Sequence, residues 1–175
     1  MTASKFKRYG IHQIGEVKDR KVFFDTNVLL LIFHQEYRYD PRSGKYRKMF
    51  ARILAHRMEV FVNEIVLSEF YSIVLKSARE RSNFPSVKAF RDSEAGIEAR
   101  EEIFSDMKTI LQQLNYIPSN LSLSEMTNQF TVDSLDFNDK LIAETCRKND
   151  FILVTDDADY VATAIDVLSA NTMFA

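Results

Sequence analysis

The stretch Lys21-Val22-Phe23-Phe24-Asp25-Thr26-Asn27-Val28-Leu29-Leu30-Leu31 constrains the fold more than any other part of the chain. An apolar run ends on a carboxylate, passes two small polar residues and resumes as a second apolar run. This reads as a buried strand with an aspartate at its C-terminal edge, followed by a helix that starts once Thr26 or Asn27 caps it. In open α/β sheets, ligands bind outside that edge. Val60-Phe61-Val62, Phe151-Ile152-Leu153-Val154 and Ile165-Asp166-Val167-Leu168 also have strand character.

Helical patterns separate these strands. Lys45 to His56 carries Met49, Phe50, Ile53 and Leu54 on one side. A helix from near Asn63 carries Ile65, Val66, Phe70, Ile73 and Val74, with Glu69 set among them. Ser93 to Leu114 turns Ile97, Ile103, Phe104, Met107, Ile110, Leu111 and Leu114 inward, and Asp136 to Lys148 is helical again. Strands alternating with helices over this length predict an α/β fold. The expected form is three layers, α/β/α, with a central, mainly parallel sheet of four to five strands.

At 175 residues the chain fits one domain. Residues 1–20 are polar and mixed and read as an N-terminal arm, leaving 21–175 as the domain. A single cysteine, Cys146, excludes an intramolecular disulfide and a cysteine zinc cage, which suits the reducing cytoplasm. The basic start lacks an apolar segment behind it and no stretch has the length of a membrane span, so the expected setting is cytoplasmic and without a membrane.

The formal charge of −2 gives no general basic excess, but its distribution is uneven. Arg38 to Arg57 has seven basic residues against Asp40, whereas Asp133 to Asp159 has eight acids against Lys140, Arg147 and Lys148. The first region suits phosphate and the second suits a cation.

Three further acids fall at strand ends or helix starts. Glu69 lies in Glu64-Ile65-Val66-Leu67-Ser68-Glu69-Phe70. Asp139 lies in Asp136-Phe137-Asn138-Asp139-Lys140-Leu141-Ile142-Ala143, and Asp157 in Leu153-Val154-Thr155-Asp156-Asp157-Ala158-Asp159. With Phe24-Asp25-Thr26-Asn27, these segments in this order resemble the motifs of the PIN domain, a fold of many metal-dependent ribonucleases. The resemblance spans Val22 to about Leu168. It implies a nuclease with an acidic quartet of Asp25, Glu69, Asp139 and Asp157.

Physical chemistry points the same way. Four carboxylates at one sheet edge repel one another by on the order of several kcal/mol unless a cation joins them. All-oxygen ligation without a His or Cys set points to Mg²⁺ or Mn²⁺. Asp25 and Asp139 are expected to bind metal directly, Glu69 directly or through water, and Asp157 to complete the site. Thr155 and Asn27 are placed to orient carboxylates or water through hydrogen bonds. Asp136 shares the helix face of Asp139, and Asp159 is the alternative to Asp157. Arg42, Lys45, Arg47 and Lys48 are the expected RNA contacts.

Many compact PIN proteins resemble the toxins of toxin–antitoxin pairs of the VapC type. That implies an RNA substrate, a homodimer and a small antitoxin-like inhibitor. The longer N-terminal arm and middle helix of this chain depart from the smallest of these toxins. The alternative reading is a catalytically silent PIN-like scaffold that binds a protein partner, distinguished by whether metal binding depends on Asp25.

Overall fold

Two apolar triplets, Val22–Phe24 (β2) and Ile152–Val154 (β5), have every residue buried and pair in parallel at the middle of the sheet, Phe23 opposite Leu153. Strands covered on both faces lack the alternation of a half-exposed sheet, which is why both read as unbroken apolar runs. The computed structural model describes residues 6–132 and 134–174, so residues 1–5 of the arm, and Asp133 of the acidic segment, lie outside the described residues.

Around this pair stand Arg8–Gly10 (β1), Val60–Val62 (β3), Asn115–Tyr116 (β4) and Val167–Ser169 (β6), in the order β1-β6-β5-β2-β3-β4. Among the described residues all five pairings are parallel. The helices are Thr26–Phe33 (α1), Ser43–Ala55 (α2), Glu64–Arg81 (α3), Val87–Arg91 (α4), Glu94–Gln113 (α5), Leu123–Thr127 (α6) and Phe137–Asn149 (α7). The expected α/β class, with a parallel sheet flanked by helices, is the observed one. No helix among the described residues is long and apolar enough to cross a membrane.

Among the described residues the sheet has six strands where four to five were expected, because both edges carry short polar strands. β4 is two exposed residues. β1 falls within the segment read as an arm, yet it pairs with β6, and the Arg8 guanidinium donates to the carbonyls of Ile165, Thr163, Val161 and Tyr160. An edge strand needs a partner on one side only and keeps a polar sequence, so it leaves no apolar run to read.

Two helices also differ from expectation. In α5, Ile103, Ile110 and the following Leu114 are buried, but Ile97, Phe104 and Leu111 are about half exposed. This helix packs on α3 and α4 along a narrow stripe. In α1 the cap is Asp25 itself, whose side chain accepts from Thr26 N, rather than Thr26 or Asn27.

Strand order fixes where a site can form. From β2 the chain moves outward to β3 on one side, and from β5 it moves to β6 on the other, although β2 and β5 are neighbours. Their C-terminal ends therefore flank the crevice where the winding reverses, the place where ligands bind in such sheets.

Candidate active site

Asp25 is the first residue after β2, and its N–H continues the ladder by donating to Val154 O at 3.0 Å. Its side chain is 3% exposed and accepts three hydrogen bonds. Thr26 N donates to Oδ1 (2.8 Å), while Asn27 Nδ2 (2.8 Å) and Thr155 Oγ1 (2.6 Å) donate to Oδ2. A carboxylate has about four lone-pair positions, so roughly one remains for another ligand. Burial pushes the carboxyl up to about 7, outweighing the Thr155 bond that pulls it down; nearby Asp139 adds to the rise.

Thr155 and Asn27 hold this carboxylate from behind. Thr155 is fully buried and also accepts from Asp157 N (3.0 Å) and from Asn27 Nδ2 (3.2 Å). Asn27 uses its oxygen as well, accepting from Asp156 N at 3.0 Å. The turn after β5 is thereby tied to the turn after β2.

Helices bring the other acids. Glu69 of α3 accepts from Thr26 Oγ1 at 2.7 Å. Asp139 sits in the first turn of α7 and accepts from the hydroxyl of the fully buried Tyr160 at 2.8 Å. Burial pushes its carboxyl up to about 6 against the pull of that hydroxyl, and Asp136 and Asp157 push the same way. Asp136 caps α7 by accepting from Asp139 N (2.9 Å), and Asp157 caps the 3-10 turn Ala158–Ala162 by accepting from Asp159 N (2.9 Å).

Asp25, Glu69, Asp136, Asp139 and Asp157 line one cleft of about 190 Å³ that, among the described residues, no basic side chain lines. Asp159 instead lines a separate cleft beside α7, together with Lys140 and Arg147. Among the described residues, no three acidic, histidine or cysteine side chains stand close enough to form a ready-made metal cage. The donor set nevertheless fits an oxygen-preferring divalent cation. It consists of carboxylates with an open acceptor position, and the largest of their burdens, the desolvated charge on Asp25, has no positive partner among the described residues of the cleft.

A family model described as PIN domain matches residues 22–166. The chain belongs to the PIN domain family. PIN domains generally bind divalent metals and are typically nucleases. A chain in the crystal structure of VapBC2 from Rickettsia felis, bound to a DNA fragment from their promoter, shares this PIN fold. It has a TM-score of 0.52 at 16% identity, with 85% of this chain and 97% of that chain covered. None of the curated proteins matches the chain in sequence.

The basic residues of this PIN domain have separate surroundings. Arg42, Lys45, Arg47 and Lys48 are all exposed. Arg42 forms ion pairs with Asp40 (2.7 Å) and Asp156 (2.8 Å), and this pairing holds the Asp40 carboxyl below the usual range. Arg47 Nε donates to Leu31 O. Sequence reasoning missed Thr26 and Tyr160 as partners of Glu69 and Asp139. Thr26 lies inside the motif Phe24-Asp25-Thr26-Asn27, whereas Tyr160 carries no signal beyond its place after the acidic turn.

Proposed function

We propose that this protein is a Mg²⁺- or Mn²⁺-dependent endoribonuclease that hydrolyses phosphodiester bonds. The observation that carries the reading is the cleft at the switch point, walled by Asp25, Glu69, Asp139 and Asp157 from four separate chain segments with no basic side chain among its described lining. When bound, a divalent ion supplies an activated water and neutralises charge on the phosphodiester. Asp25 and Asp139 are the direct ligands, with Glu69 and Asp157 completing the set. Asn27, Thr155 and Tyr160 fix the carboxylates through the bonds described above, and Asp136 holds the start of α7. Because Asp25 and Asp139 both bind protons more tightly than ordinary carboxyls, cation binding near neutral pH displaces protons from them.

The test is cleavage of a mixed RNA pool in Mg²⁺ and in Mn²⁺ by wild type beside Asp25→Asn and Asp139→Asn. Metal-dependent cleavage lost in both variants is the expected result. Wild type that cleaves nothing, with no metal binding that Asp25→Asn removes, would leave the silent protein-binding scaffold as the better reading.

A narrower reading is the toxin of a toxin–antitoxin pair, acting in the cytoplasm as a homodimer held in check by a small inhibitor protein. The fold likeness to a chain of a VapBC2 complex, across nearly all of that chain, supports it. Growth arrest on expression, relieved by co-expressing a small protein encoded beside it, is the expected result.

A further inference from the structure

The acidic cleft is not isolated. It shares Asn27 and Asp157 with an adjoining cleft, which shares Arg42, Asp156 and Asn171 with a third that reaches Lys45. Together they form a trough from the carboxylates to the start of α2. Along it the first positive groups among the described residues are Arg42 and Lys45.

Arg42 is fixed relative to Asp25 by consecutive hydrogen bonds. Its Nη1 donates to Asp156 Oδ2 (2.8 Å), Asp156 N donates to Asn27 Oδ1 (3.0 Å), and Asn27 Nδ2 donates to Asp25 Oδ2 (2.8 Å). The buried Tyr46 hydroxyl, 2.9 Å from Asp156 Oδ1, steadies the middle of that chain. Asp40 takes Nε and Nη2 of the same guanidinium. Among the described residues, three of its five N–H groups are thus occupied and two remain. The side chain is 53% exposed, which leaves room for a ligand beside it. A guanidinium held rigidly at the mouth of an acidic cleft, with donors to spare, suits a phosphate oxygen, and the exposed Lys45 adds a second positive charge to the same stretch of the trough.

We infer that this trough carries the backbone of the RNA substrate, and that Arg42 and Lys45 bind a phosphate flanking the scissile one. The inference rests on the ribonuclease reading for its substrate, and its failure is separable from the failure of that reading. Fluorescence anisotropy of a labelled short single-stranded RNA, in EDTA and across a salt series, measures binding without cleavage. Lys45→Gln and Arg42→Gln should each weaken binding about tenfold and reduce the salt slope by roughly 0.7. Arg42→Lys should restore the slope but not the full affinity, because it keeps the charge and loses the guanidinium's fixed donors. Lys45 lies outside the chain of bonds that fixes Arg42, so Lys45→Gln remains decisive if Arg42→Gln disturbs the fold. Wild-type affinity and slope in both Gln variants would overturn the inference even if the enzyme cleaves RNA, as would wild type that binds no RNA. Weakened binding in a protein that cleaves nothing would uphold the trough and reject the nuclease.

Discussion

Two groups of carboxylates stand side by side beyond the same strands and have opposite electrostatic situations. Asp40 and Asp156 close on Arg42, a cation carried by the chain itself. Asp25, Glu69, Asp139 and Asp157 face a cleft without a basic side chain among the described residues, and their neighbours Thr26, Asn27, Thr155 and Tyr160 are neutral donors. Neutral donors orient a carboxylate but do not cancel its charge. Charge left uncancelled at a buried position destabilises the folded chain until a cation arrives, whereas the paired group carries its own cation.

Asp25→Asn should break this contrast most severely. It is expected to lower metal-dependent RNA cleavage on the order of 100- to 1000-fold, and to abolish the rise in unfolding temperature that Mg²⁺ or Mn²⁺ gives wild type. Next in size is the pH dependence of the metal-free protein. Asp25 moves from an ordinary 3.8 to about 7 on folding, and Asp139 to about 6, so between pH 4 and pH 7 the folded state holds more protons than the unfolded. Stability must therefore fall as pH rises through that window, by up to several kcal/mol, since each tenfold difference in proton affinity between the two states is worth ~1.4 kcal/mol. Urea unfolding from pH 4 to pH 8 should show this fall in wild type and a flatter profile in Asp25→Asn.

Tyr160→Phe should act more gently. It removes the donor that favours ionised Asp139, so metal titrations should show weaker affinity at pH 6 than wild type, with the gap narrowing at pH 8. The expected cost is about 1 kcal/mol. The smallest effect belongs to the paired group. Asp40→Asn breaks an ion pair with a half-exposed arginine and should change stability by less than ~1 kcal/mol, leaving the metal response intact.

Legibility in the sequence follows burial and locality. The central strands are readable because Val22–Phe24 and Ile152–Val154 are apolar throughout, and Asp25, Asp139 and Asp157 because each follows or begins an element with a strong pattern. The edge strands Arg8–Gly10 and Asn115–Tyr116 are too short and polar to carry one. Periodicity alone cannot tell that Phe104 and Leu111 face outward while Ile103 and Ile110 face in, since all four fit a helical stripe. Nor can charge counting reveal that Arg42 is engaged by Asp156, a residue 114 positions away. Such a pairing is set by the fold bringing the start of α2 against the turn after β5.

The parallel pairing of β2 with β5 also imposes an order in time. Phe24 waits for Val154, and Arg8 for Val167, so the sheet joins strands that lie far apart in sequence. Contacts this distant in sequence form late, and a chain growing from its N-terminus holds Asp25 without Thr155 or Asp157 until those residues have been made. An unfinished or C-terminally shortened chain consequently has the first carboxylate and none of the turn that completes its cleft. Whatever chemistry the cleft performs begins only once Thr155 and Asp157 have been made and docked beside Asp25.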